Sequence, residues 1–362
     1  MIQTAVKEYG YEYDASRNEA IWEECRYKTT TMKLWGALAL QSGRDALKVI
    51  AREYQPTIAL LPALSCDSMT LPFTLHGHEV RYYRLKNDYS IDFEHLNTLI
   101  PDNQDKVLFL YMDYFGRKAA NAHQLQTLKK DYPSLVFIED KTHVFLNSGP
   151  SRFMADYTVV SLRKWLSVPD GGIVWCRGNL HHDDFLDSTE FSERRLEAQC
   201  MRNRYLQTNE RELKPVFRQI FSTVSNIMDT NPEPCRMSDY SYNLICDTDW
   251  ETIAQIRQKN SSYLISSFDK CDKIKLLQPQ PGISDLYVPI LIENRDAIQR
   301  QLSQQGIYTT LIWPLSESQK KICPVSKMTE QKMLAVPCDQ RYDLEDMRFI
   351  ADNIVRTVEE LS

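Results

Sequence analysis

The sequence has no apolar run approaching the roughly 20 residues that a membrane-spanning helix needs, so no span is expected. It has no basic excess either. The 43 Lys and Arg stand against 49 Asp and Glu, a net charge of −6, with both signs interspersed. Without a basic patch or tail, a nucleic-acid surface is not expected. Internal repeats and low-complexity tracts are absent. None of the nine cysteines forms a C-x-x-C pair, their number is odd, and no metal is expected. Read with no secretory leader at its start, the chain is expected to hold reduced thiols in the cytoplasm.

What is present is ordinary globular composition: 362 residues, 43% hydrophobic and 25% charged, enough for two domains or one large α/β domain with an appendage. From Ile58 the chain alternates. Ile58–Pro62, Glu79–Leu85, Lys106–Tyr111, Leu135–Ile138 and Thr158–Val160 read as strands. Residues 66–77, which Pro72 would have to kink, and Ile91–Leu99 and Ala119–Lys130 read as helices. This spacing implies βαβ units and a mainly parallel sheet between helices. Helical patterning continues in 189–206 and 212–228, and Asn231-Pro232-Glu233-Pro234 marks a boundary. Beyond it, Trp250–Cys271, Arg295–Gln305 and Leu344–Leu361 read as helices. Leu286–Ile292, Tyr308–Trp313 and Met333–Pro337 read as strands. The expected division is therefore a large α/β domain over 1–235 and a smaller α+β domain over 236–362. Residues 1–35 read as an arm that packs on the body or on a second subunit.

Ligands of parallel sheets sit beyond the carboxyl ends of the strands. Several chemically useful residues fall there. Ser42-Gly43-Arg44 opens a helix, whose free N–H groups can hold a phosphate or simply be capped by Ser42. Asp140 follows four apolar residues and needs a cationic or donor partner, which could be a protonated pyridine nitrogen, Lys141 or Arg163. His143, three residues on, could face the same pocket. Lys164 follows the strand Thr158–Val160 and is flanked by Trp165 and Leu166. Desolvation of such an amine would favour its neutral form, which imine chemistry requires.

These motifs together resemble the DegT/DnrJ/StrS family of PLP-dependent sugar aminotransferases, within the fold-type I (aspartate aminotransferase-like) superfamily. The resemblance runs from about Leu40 to Gly172. The family's S-G-T-x-A-L is similar to Ser42-Gly43-Arg44-Asp45-Ala46-Leu47, and its E-D-x-x-H/Q to Glu139-Asp140-Lys141-Thr142-His143. Its lysine followed by acid-Gly-Gly resembles Lys164 with Asp170-Gly171-Gly172. The resemblance implies pyridoxal 5′-phosphate (PLP) as cofactor, carried by Lys164, with Asp140 on the pyridine nitrogen and His143 at the ring or its oxygen. Gly43, Arg44 and Ser161 would bind the phosphate. It further implies transfer of an amino group, with glutamate as donor, to a nucleotide-linked ketosugar in surface polysaccharide or related glycan synthesis, by a homodimer. Another PLP enzyme acting on an amino acid or small amine, and a non-catalytic homologue, are the alternatives. The departures are Arg44 in place of Thr, Cys66 where a stacking aromatic is common, and Ser161 three residues before the lysine. The family's partner-subunit segment maps near Ser238 to Asn243.

Overall fold

The computed structural model describes residues 5–15, 33–102, 106–147, 155–178, 180, 185–187, 189–277 and 285–361. Cys25 and most of the expected N-terminal arm lie outside the described residues. The strands in chain order are β1 (Tyr9–Gly10), β2 (Lys33–Leu34), β3 (Ala37–Leu40), β4 (Ile58–Pro62), β5 (Glu79–Tyr83), β6 (Val107–Met112) and β7 (Leu135–Asp140). They continue as β8 (Tyr157–Ser161), β9 (Gly172–Cys176), β10 (Lys275–Leu276), β11 (Tyr287–Leu291), β12 (Ile307–Tyr308), β13 (Thr310–Leu311) and β14 (Met333–Pro337).

Eight of these form the main sheet, in the order β2-β3-β9-β8-β7-β6-β4-β5. The run from β8 to β5 is parallel, and β9 and β2 run against their neighbours. The expected α/β fold is thus what the chain adopts. The cause is visible in the strands: β4, β6 and β7 are buried at every position, as central parallel strands covered on both faces must be. The edge strand β5 instead exposes Glu79 and half-exposes Val80, Arg81 and Tyr82. Because β6, β7 and β8 are parallel and in register, Met112, Asp140 and Val159 lie side by side at their carboxyl ends.

A second sheet, β10-β11-β14-β13, is antiparallel throughout. The helices Trp250–Phe268, Arg295–Gln304 and Leu344–Leu361 cover it, giving Leu264, Ile298 and Ile354 to its core. The described part of the N-terminal arm packs on this body of its own chain: β1 pairs with β12, and Tyr9 enters the same core.

Some elements differ from their expected form. The run Tyr308–Trp313 is two short strands, because β12 pairs with β1 whereas β13 turns to β14. The helix Asp67–Leu75 holds Pro72 inside it. The helices Glu317–Ile322 and Pro324–Lys332 were not anticipated, although Ser316 and Gln319 form a capping box and Pro324 stands in the first turn. Met237 and Ile245, beyond the expected boundary, pack with Val160 and Ile173 of the main sheet.

Candidate functional site

Three backbones meet at the end of the main sheet. Leu40 of β3 and Ser161 of β8 are both register partners of Gly172 on β9. Ser42 then caps the helix Gly43–Arg52, its hydroxyl accepting from the Asp45 amide at 3.2 Å. The cap satisfies that amide and leaves those of Gly43 and Arg44 with no hydrogen-bond partner among the described residues. The corner has no room for side chains. A β-carbon on Gly43 would stand 3.0 Å from that of Ser161, and one on Gly172 would overlap the backbone of Ser42. Ser42 is thus a cap, as one of the two expectations had it, and the bare amides beside it leave room for the other.

Gly43, Ser161, Asp140 and Lys164 line one cavity, with Arg44 and Trp313. Asp140 closes β7, almost wholly buried, and accepts from the Thr142 amide at 2.8 Å. Burial pushes its carboxyl above the ordinary range, against the Thr142 bond and the charge of Lys164. Neither alternative protein partner takes it. The Lys141 ammonium lies 3.9 Å from Glu139 instead, and no cation ion-pairs with Asp140 among the described residues.

Lys164 ends the single turn Leu162–Lys164 that follows β8. The expected wall of Trp165 and Leu166 is corrected here. Trp165 is fully buried, its indole N–H donating to the Thr142 carbonyl at 2.8 Å and its ring lying 4.7 Å from the Arg257 guanidinium. Leu166 belongs to the apolar cluster around Val160 and Ile173. The aromatic beside the ammonium is Trp313, 6.0 Å away and 149 residues later in the chain. Among the described residues that line the cavity it is the only aromatic, and Cys66 lines it at the position where the resemblance makes a stacking aromatic common. Nothing in the Tyr308–Trp313 run distinguished Trp313 from a strand residue. The backbone of the lysine turn is held from behind: Tyr13 donates to the Trp165 carbonyl at 3.3 Å and Gln340 to the same oxygen at 2.8 Å.

Other expected residues are placed differently. His143 does not line the cavity. It is buried with its ring 4.8 Å from Phe115 and 5.9 Å from Trp313, one layer back. Burial, reinforced by the Lys164 charge, holds its imidazole neutral, well below its usual range. Arg44 does line the cavity, but its guanidinium is engaged, 2.6 Å from Asp229 and donating to Ser68 at 2.6 Å. Its charge is thus largely compensated. Asp170 of the acid-Gly-Gly motif is fully buried and accepts from the Ser238 amide at 2.8 Å, the Ser238 hydroxyl at 2.6 Å and the Ser241 hydroxyl. That acid ties the segment Ser238–Asn243, expected at a partner's site, to its own chain. Arg163, weighed only as a partner for Asp140, lines the cavity too.

Among the described residues, no His, Cys, Asp and Glu are grouped to hold a metal ion, and no helix is long and apolar enough to cross a membrane. The described cysteines are free thiols.

No family model and no curated protein matches the chain. Solved structures do. PseC of Helicobacter pylori, an aminotransferase involved in the biosynthesis of pseudoaminic acid, is 17% identical over 98% of this chain and 100% of its own, with a TM-score of 0.69. Spr1654 of Streptococcus pneumoniae, solved in its PLP form, is 14% identical over 99% and 100%, with a TM-score of 0.68. A DegT/DnrJ/EryC1/StrS aminotransferase of Brucella abortus is 15% identical over 89% and 86%, with a TM-score of 0.63. At such identities the likeness is one of architecture, and over nearly its whole length the chain carries the fold of these aminotransferases.

Proposed function

We propose that this protein is a PLP-dependent aminotransferase that moves an amino group from glutamate to a nucleotide-linked ketosugar. The observation that carries the reading is Asp140: a buried carboxyl with no ion-paired cation among the described residues, in one cavity with Lys164 and a bare helix N-terminus. Those three features suit the three ends of the cofactor. The Gly43 and Arg44 amides would take the phosphate, Lys164 the aldehyde carbon and Asp140 the protonated pyridine nitrogen. Once bound, PLP supplies an electron sink that stabilises negative charge on the substrate carbon bearing nitrogen.

The chain's own residues do the rest. Asp140 keeps the ring proton in place, because a cation relieves the cost of its burial. Lys164 would hold the group at its aldehyde carbon, and its Nζ, lining the same cavity, would be the base that holds and moves a proton beside the substrate carbon. Trp313, beside that nitrogen, shields it from water on one side. His143, neutral and packed on Trp313, supports that wall.

The sugar substrate and the glycan pathway rest on the fold shared with sugar aminotransferases and on the motif resemblance. A homodimer and a cytoplasmic location belong to the same proposal. The division between the two bodies is proposed to fall beyond residue 235, since Met237, Ile245 and Ile253 pack on the main sheet. Mixing the protein with PLP should give an absorbing, borohydride-reducible adduct that Lys164→Ala lacks. Glutamate should convert the bound cofactor to its amine form, and a UDP- or dTDP-ketosugar should restore it. An absent adduct would end the enzymatic reading, and restoration by keto acids alone would end the sugar assignment.

A further inference from the structure

We infer that Arg163 is a phosphate-binding residue of this site, completing with the Gly43 and Arg44 amides and the Ser161 hydroxyl the seat for the cofactor's anionic tail. This rests on the cofactor reading above and adds to it a residue that the motif resemblance does not supply.

The first support is position. Arg163 stands immediately before Lys164 in the same single turn and lines the same cavity as Gly43 and Ser161. The second is an unmet bond. The Nε of Arg163 is closed to solvent and has no acceptor among the described residues, and no carboxylate there ion-pairs with its guanidinium. A buried donor without an acceptor costs about 1–3 kcal/mol, so an acceptor is expected to fill the place. The third is charge. Burial above all, then Arg195 and more weakly Arg44, push the Arg163 pKa down to about 9, against the attraction of Glu12 and Asp170. Glu12 is itself bound to Arg195, and Asp170 to Ser238 and Ser241. Phe191, its ring 5.9 Å from the guanidinium, offers no acceptor. Both arginines of the cavity hold a buried Nε without an acceptor among the described residues, but Arg44 is ion-paired to Asp229 and bonded to Ser68, whereas no carboxylate among the described residues ion-pairs with Arg163.

The test separates the phosphate from the rest of the ligand. Wild type, Arg163→Ala and Arg163→Lys are titrated with PLP and with pyridoxal, which lacks the phosphate, following absorbance at equilibrium. Wild type should prefer PLP, and inorganic phosphate should compete with it. Arg163→Ala should bind PLP about 10- to 100-fold more weakly, as loss of a charge-assisted bond implies, with pyridoxal binding unchanged. Arg163→Lys should recover part of the loss. Equal weakening toward both ligands, or none toward PLP, would overturn the inference while leaving the cofactor reading intact. A wild type that binds neither ligand would remove both.

Discussion

The backbone of Gly172 lies so close to the carbonyl of Ser42 that a β-carbon there would overlap it. Gly172→Ala must therefore push β9 and the helix start apart. We expect it to lower stability by about 1–3 kcal/mol, the usual cost of overpacking, and to abolish PLP retention. Urea denaturation and gel filtration with bound PLP would check this. A variant that keeps its cofactor would show that the corner is looser than its geometry.

Asp140→Asn should retain some PLP and lose turnover by about 100-fold or more, the scale of removing one electrostatic partner of a reacting group. Full activity would contradict the role given to the carboxylate. The same variant has a second consequence in cofactor-free protein. Burial raises the Asp140 pKa above its unfolded value. Its contribution to stability is thus present below the unfolded pKa and lost as pH rises through the folded one. Cofactor-free Asp140→Asn should melt higher than cofactor-free wild type at neutral pH, and the gap should close in acid.

Asp285 gives a stability test away from the site. Burial pushes its carboxyl up to about 6, with Ser261 and Arg257 opposing. By the same sign, its contribution is full below about 4 and gone above about 6. Asp285→Asn should flatten the pH dependence between those values, gaining on the order of 3 kcal/mol at pH 8. Melting curves across pH measure it, and parallel curves for the two proteins would refute the assignment.

Asp170→Ala would leave the Ser238 amide and the Ser238 and Ser241 hydroxyls without their acceptor. Each unmet buried donor costs about 1–3 kcal/mol. We expect a loss of roughly 3 kcal/mol or more and faster hydrogen exchange over residues 238–246. A loss below about 1 kcal/mol would mean that these groups find other partners.

Trp313 lies 6.0 Å from the Lys164 ammonium, so PLP joined to that nitrogen should quench its emission. The drop in tryptophan fluorescence on adding PLP should shrink markedly in Trp313→Phe. An unchanged drop would place the cofactor elsewhere.

Much of this was legible in the chain itself. Central parallel strands are continuous apolar runs, so β4, β6, β7 and β8 announced themselves, and the residues just past them had to gather at one end of the sheet. That is why Gly43, Asp140, Ser161 and Lys164 could be placed together. What stayed hidden depends on partners distant in sequence. Periodicity could not show that Tyr308–Trp313 pairs with two different strands or that Trp313 ends beside Lys164. Nor could it show that Asp229 neutralises Arg44, or that Trp165 turns inward to Arg257. His143 fell one layer back because spacing along a loop does not fix where a side chain points.

The carbonyl of Trp165 is gripped by Tyr13 from one terminus and by Gln340 from the other, while Arg257 presses on its ring. The lysine turn is therefore a keystone between distant parts of the chain: residues 152 positions before Trp165 and 175 after it share one oxygen, so loosening either one would unseat the turn while leaving the main sheet intact.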